Sequence, residues 1–310
     1  MERKALLTRI ALLYYQHGLT QQEIAASLGT SKMTVSRLLQ EARDSGIVQI
    51  KLNIPFESKP GLARELAARW KLRDAFVVRN LGGEALIPFI GRACAFHLDF
   101  AIKDGDVIGV AWGNTLAATV RNLSDIRRPN ATVVQLLGGL GEVVEDNPFN
   151  IVQAMCDRLG AKGRYFNAPA IAPTSQARRT LMESAVAVEV QELWRRCNVA
   201  VVGIGTVSDD ATLARTGLVS GNDLRSVRRE GAVGDVMGHY VGSHGKEVDT
   251  DLRDRLVGIS LSQLRSIENV VAVAGGPEKV EAMKAVLESG CVKTLVTDEE
   301  TALSLVRSVP

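Results

Sequence analysis

Leu6, Ile10 and Leu13, with Leu7, Ala11 and Tyr14 beside them, recur at helical spacing, and the pattern predicts an amphipathic helix over 3–16 that ends near Gly18. Thr20-Gln21-Gln22-Glu23 then reads as a capping box, in which the Thr20 hydroxyl accepts from the amide of residue 23 and Glu23 reaches back to the amide of Thr20. A short second helix over 21–28 follows. Gly29 supplies a tight turn, Ser31 caps a third helix from Lys32 to about Ser45, and Gly46 terminates it. Ile24, Ala25 and Leu28 on the second helix face Val35, Leu38, Leu39 and Ala42 on the third, so each helix buries one stripe against the other. Two short helices joined by a glycine-bearing turn describe a helix-turn-helix. The stripe left outside on the third helix comprises Lys32, Met33, Thr34, Ser36, Arg37 and Gln40. Past Gly46, Val48, Ile50 and Leu52 alternate with Gln49 and Lys51, which predicts a strand forming a small wing.

The pattern then changes. Ile54-Pro55-Phe56-Glu57-Ser58-Lys59-Pro60-Gly61 carries two prolines and turn formers, which places a linker over 55–60 between an N-terminal domain, 1–54, and a larger one, 61–310. Beyond it apolar strands alternate with helices. The expected strands are 76–79, 107–111, 132–137, 199–204, 270–274 and 294–297, with helical patterns such as 86–102, 149–159 and 278–289 between them. This is the signature of an α/β domain built on a doubly wound parallel sheet. Such sheets bind ligands at the carboxyl ends of their strands. Four of the expected strands end there in glycine turns: Trp112-Gly113-Asn114-Thr115, Gly138-Gly139-Leu140-Gly141, Gly203-Ile204-Gly205-Thr206 and Gly275-Gly276-Pro277-Glu278-Lys279. Glycine lets backbone amides approach a ligand, and a helix N-terminus favours anions and polar oxygens. Asn114 and Thr115 suit hydroxyl or phosphate oxygens, and the Lys279 ammonium suits a phosphate.

Charge sharpens the reading of the N-terminal segment. The chain's net charge is only +2, yet residues 1–54 hold seven Lys/Arg against four Asp/Glu, so the basic excess is confined to the helix-turn-helix. Its outer stripe of short hydrogen-bonding groups and two cations suits a DNA major groove, with Lys32, Thr34, Ser36 and Arg37 near base edges and Thr20, Gln21 and Ser31 near phosphates. The length of 310 residues, 46% of them hydrophobic, suits one small and one large folded domain. No apolar run approaches a membrane span and no signal peptide opens the chain, so a cytoplasmic location is expected. Cys94, Cys156, Cys197 and Cys291 lie far apart and read as reduced core thiols. His17, His97, His239 and His244 form no helix-spaced pair with an acidic partner, so no metal or other cofactor is expected.

Two stretches carry a family resemblance. The run Leu19-Thr20-Gln21-Gln22-Glu23-Ile24-Ala25 through Val35-Ser36-Arg37-Leu38-Leu39 to Gly46-Ile47-Val48 resembles the DNA-binding head of the SorC-type (sorbose-operon regulator) family of sugar-binding transcriptional regulators. Val110-Ala111-Trp112-Gly113-Asn114-Thr115-Leu116, Gln135-Leu136-Leu137-Gly138-Gly139-Leu140-Gly141, Gly231-Ala232-Val233-Gly234-Asp235-Val236 and Ala274-Gly275-Gly276-Pro277-Glu278-Lys279 are similar, in order and spacing, to segments of that family's effector domain. The resemblance implies a fold like sugar-phosphate isomerases, a sugar, polyol or sugar-phosphate effector, assembly into dimers or tetramers, and effector contacts at Gly113, Asn114, Thr115, Gly139, Asp235 and Lys279. It also implies operator DNA as a partner, with repression relieved by effector as the expected sense. Leu137 before the glycine pair offers neither a lysine for a Schiff base nor a phosphate-binding cation, which points to a neutral sugar or polyol.

Two rivals stand beside this reading. A sugar-phosphate isomerase would need a base against the carbon acid, for which Glu142, Asp209, Asp210 and Asp235 are candidates by position. A dinucleotide enzyme is suggested by Gly203-Ile204-Gly205-Thr206-Val207-Ser208, but the third glycine of that fingerprint is missing. Fold similarity alone carries no activity.

Overall fold

A computed structural model describes residues 2–49, 56–80, 85–140, 147–209 and 211–308, and its contacts divide the chain into two compact units, 1–54 and 55–310. In the first, α1 (Glu2–Ala11) widens into a π-helical turn, Leu12–Gln16, before α2 (Gln21–Ser27) and α3 (Lys32–Asp44). Both arms of the capping box form: the Glu23 amide donates to the Thr20 hydroxyl at 3.3 Å, and the Thr20 amide donates to the Glu23 carboxylate at 2.8 Å. The Ser31 hydroxyl accepts from the Thr34 amide at 3.1 Å, and Gly29 takes the positive φ of +63° that the intervening turn demands. Leu7, Ile10, Ile24, Ala25, Val35, Leu38, Leu39 and Ala42 close one small core. The wing is not seen where the described residues reach it. The Val48 amide donates to the Ala42 carbonyl at 3.0 Å, closing the end of α3 instead of entering a strand ladder. Ile50 and Leu52, the rest of that expected strand, lie outside the described residues.

The second unit is built on an eight-stranded sheet in the order β1-β2-β11-β10-β6-β3-β4-β5. Its strands are β1 (Phe56–Ser58), β2 (Asp74–Asn80), β3 (Val107–Val110), β4 (Thr132–Gln135), β5 (Lys162–Arg164), β6 (Val199–Gly203), β10 (Asn269–Val273) and β11 (Thr294–Asp298). All pairs are parallel except β1 with β2. Each of the six expected strands appears within a residue or two, because β-branched runs such as Val199-Ala200-Val201-Val202 can be buried on both sides only in such a sheet. The linker over 55–60 needs correction. Phe56–Ser58 pairs with Asn80, Arg79 and Val78, and the Phe56 ring is buried edge-on against Phe76 and Phe96. A large aromatic side chain gains more from burial than two flanking prolines cost, since Pro60 sits where a helix tolerates it, at the first turn of α4 (Pro60–Trp70).

A smaller antiparallel sheet, β7 (Gly205–Thr206), β8 (Ala232–Val236) and β9 (His239–Gly242), was not anticipated. Met237 and Gly238 turn β8 into β9 at positive φ, and Gly234 lets β8 press on the helix Val280–Glu288, since a Cβ there would meet the Ala282 carbonyl oxygen at 2.7 Å. The helix α5 (Leu86–Ala101) and those that follow it pack the larger sheet into one continuous apolar core. Cys94, Cys156, Cys197 and Cys291 are buried and unbridged within it, and burial pushes the Cys94 and Cys197 thiols up to about 12. Among the described residues, no helix is long and apolar enough to cross a membrane.

Candidate effector pocket and nucleic-acid interface

From β3 the chain winds outward through β4 and β5, whereas β6, β10 and β11 build in the opposite direction, so β3 and β6 are neighbours at which the winding reverses. Loops leaving such a pair diverge and open a crevice. A cavity of about 250 Å³ lies there, walled by the segments that follow β3 and β6, by β8 and β9, and by the Lys279 turn. Of the six residues expected to contact an effector, Gly113, Asn114, Thr115, Asp235 and Lys279 line it. Gly113, at φ +121°, precedes α6 (Asn114–Arg121), and no side chain among the described residues caps that helix, so its first amides are open to a ligand. Gly276, at φ +107°, likewise leads into the 3-10 turn Pro277–Lys279 that carries Lys279 to the cavity.

Gly139 does not line this cavity. Its amide donates to the Ala168 carbonyl at 2.8 Å and its own carbonyl accepts from Ala170 at 2.9 Å, while a Cβ on Gly138 would come within 2.5 Å of the Ala168 and Pro169 carbonyl oxygens. The glycine pair serves a close backbone crossing. Leu137 is buried beside Gly258 and also stands outside the cavity wall, so its apolar character says nothing about the ligand's charge. The cavity's cations are Lys279 and Arg215, an exposed residue on the short helix Thr212–Arg215. Arg215 and Tyr240 were missed because neither sits in a glycine turn. The hairpin that carries Tyr240 is recognisable only by its Gly238 turn.

Among the described residues Asp235 is the cavity's carboxylate. Burial pushes it up to about 6, against the opposing pull of the Gly238 amide, which donates to it at 2.7 Å, and of the His239 and Lys279 charges. Burial holds Lys279 below its ordinary value, only partly offset by Glu278 and Asp235, and burial with the neighbouring Asp235 charge raises the Tyr240 hydroxyl. His239 faces away from this set: Nε2 lies 2.8 Å from the Ile259 carbonyl and Nδ1 2.5 Å from Glu247. Asp209 pairs with Arg228 at 3.0 Å outside the cavity, and Asp210 and Glu142 lie outside the described residues. The Gly203-Ile204-Gly205 run leads into β7 and not into a helix, so it lacks the helix N-terminus on which a dinucleotide pyrophosphate rests.

On α3, Ser31, Lys32, Met33, Thr34, Ser36 and Arg37 are exposed on the face opposite the core. The side chains of Lys32, Ser36 and Arg37 make no hydrogen bond or ion pair among the described residues. Thr20 is committed to its cap, where its amide and hydroxyl hold the Glu23 carboxyl below the usual range, and Gln21 is half-buried at the start of α2. Thr34 shares its hydroxyl with Ser31 at 2.9 Å, whereas Gln40 is tied to Asp44 at 2.8 Å and to Arg43. The free hydrogen-bonding side chains of α3 thus cluster toward its first two turns, the part of a recognition helix that meets base edges.

Residues 55–307 match the family model described as a putative sugar-binding domain, and residues 9–45 match that of sigma-70, region 4. The chain belongs to the SorC-type family of sugar-binding transcriptional regulators. It is 30% identical over 311 residues to the deoxyribonucleoside regulator of Bacillus subtilis (strain 168), covering 99% of each chain. It is also 30% identical to the erythritol catabolism regulatory protein EryD of Brucella abortus (strain 2308), covering 97% of this chain and 96% of that one. The crystal structure of the full-length sorbitol operon regulator SorC from Klebsiella pneumoniae superposes with a TM-score of 0.74 at 26% identity, over 99% of this chain and 100% of that chain. These relatives are regulators and not isomerases or dehydrogenases, which sets both enzyme readings aside. This SorC-type regulator joins a DNA-binding helix-turn-helix to a sugar-binding domain.

Proposed function

We propose that the protein acts in the cytoplasm as a repressor of a carbohydrate or polyol catabolic operon, released by an effector that carries both hydroxyl groups and an anionic group. The observation that carries the ligand class is the cavity's inventory: among the described residues, Lys279, Arg215 and the uncapped start of α6 stand beside one carboxylate, Asp235. Two cations and free helix amides exceed what a neutral polyol requires, and they suit a phosphate. The names of the relatives, which concern deoxyribonucleosides, erythritol and sorbitol, support the carbohydrate and polyol class. In this reading residues 1–54 bind operator, residues 55–310 bind effector and self-associate, and Gly113, Asn114, Thr115, Asp235 and Lys279 contact the effector. The protein binds a pseudo-palindromic site as a homodimer or homotetramer, and effector favours one arrangement of the effector domains through unequal affinity for the alternatives.

Thermal-shift measurement on the purified full chain against sugars, polyols and their monophosphates tests the ligand class, because a bound ligand raises the melting temperature by mass action. A larger shift with phosphorylated members supports it. Equal shifts with the neutral parents, or none, overturn it. At the DNA end, Lys32, Thr34, Ser36 and Arg37 read bases, and Thr20, Gln21 and Ser31 lie near phosphates. Arg37→Ala is expected to weaken operator binding by about 1–3 kcal/mol and to relax preference at one base position. Titrations of mutated operator half-sites check this; a uniform loss across sequences would reassign Arg37 to the phosphates.

A further inference from the structure

Gly205, Asp235 and Tyr240 form one row across the small sheet: Gly205 pairs with Asp235, and Asp235 pairs with Tyr240. Directly paired residues project to the same face, and all three line the cavity. Gly205 keeps the row open, because a Cβ there would stand 2.9 Å from Asp235 Oδ2. The two polar members are incompletely satisfied. Asp235 Oδ1 accepts from the Gly238 amide, while Oδ2 accepts no hydrogen bond among the described residues. Tyr240 is only 3% exposed, yet its hydroxyl has no hydrogen-bond partner among the described residues. Buried hydroxyls nearly always find a partner, and a tyrosine placed only for packing is served equally by phenylalanine.

We propose that Tyr240 is a specificity-determining residue of the effector pocket, whose hydroxyl donates to a hydroxyl oxygen of the ligand beside the group taken by Asp235. The assignment rests on the effector reading above and deepens it. The cations and the α6 amides hold the anionic end, and the Asp235–Tyr240 row reads the hydroxylated part. A deoxy ligand would leave the Tyr240 hydroxyl unpaired, which is how a polar pocket rejects an analogue that merely lacks one oxygen.

The test uses full-length wild type and Tyr240→Phe, titrated calorimetrically with ribose 5-phosphate, sorbitol 6-phosphate and erythritol 4-phosphate, and with single-deoxy analogues of whichever binds best. The variant is expected to bind that best probe about tenfold more weakly, and at least one deoxy analogue as well as wild type does. Its ligand-free melting temperature is expected to stay within about 2 °C of wild type, since no intramolecular hydrogen bond is lost. A marked fall in that temperature would show that the hydroxyl has a structural partner and overturn the assignment, as would equal affinities of the two proteins for every probe. Failure of wild type to bind any probe would instead refute the effector reading, and the assignment with it.

Discussion

Ile24→Ala is expected to cost the N-terminal unit about 2–5 kcal/mol, in the range of buried Ile-to-Ala truncations. Ile24 is fully buried, between the helices that the Gly29 turn joins, in a core of nine buried residues among those described. A unit of about 50 residues has little reserve, since a single core of that size supplies roughly 3–5 kcal/mol in all. The substitution therefore removes most of the stability that holds α3 in register. Operator affinity is expected to fall by at least about tenfold, measured by fluorescence anisotropy on DNA from upstream of the protein's own gene. The effector-induced thermal shift of the larger unit is expected to persist. Wild-type affinity in the variant would mean that the DNA-binding surface does not depend on this core.

Asp235→Asn is expected to raise ligand-free stability above pH 6 while weakening effector binding. The folded-state value of about 6 lies above the roughly 3.9 of an unfolded aspartate, so the folded state binds the extra proton between those limits. Stability from this group therefore declines as pH rises through that window, and the penalty is complete above about pH 6. A shift of about two units corresponds to at most about 3 kcal/mol; because the carboxylate reaches the cavity, a gain on the order of 1–2 kcal/mol is expected from the asparagine near pH 8. The gain should vanish toward pH 4, where both proteins are neutral at this position. Effector affinity is expected to drop about tenfold or more, since a hydrogen bond to a charged acceptor is lost. Melting curves across pH 4–8 with and without ligand check both halves; stability that is equal at every pH would contradict the burial of the charge. A carboxylate kept at such a cost to stability is what the proposed effector role of Asp235 requires.

The parts legible in the chain were those governed by neighbours in sequence. Thr20 and Glu23 are three residues apart, and Ser31 and Thr34 likewise, so their caps follow from local geometry. The strands were legible because runs such as Val270-Val271-Ala272-Val273 admit little else between turn formers. Gly113, Asn114, Thr115 and Lys279 were legible because they end strands or open helices, and Asp235 because it lies in a segment resembling the family's. Phe56 was hidden by its prolines, and Arg215 by the absence of any local pattern around it. Gly139 shows the opposite failure. Glycine at a strand end signals either an opening to ligand or a close backbone crossing, and the crossing partner, Ala168 to Ala170, is nearly thirty residues away.

Local propensity and hydrophobic period thus specify the helix-turn-helix, the parallel strands and their glycine turns, because each depends on a few consecutive residues. Which turns converge is a matter of strand order. Only with β3 and β6 side by side do Gly113 and Gly205 share one crevice, and only the pairing of β7, β8 and β9 sets Gly205, Asp235 and Tyr240 in a row. Those neighbours come from distant parts of the chain, and the packing energy that joins them has no counterpart in any short stretch of it.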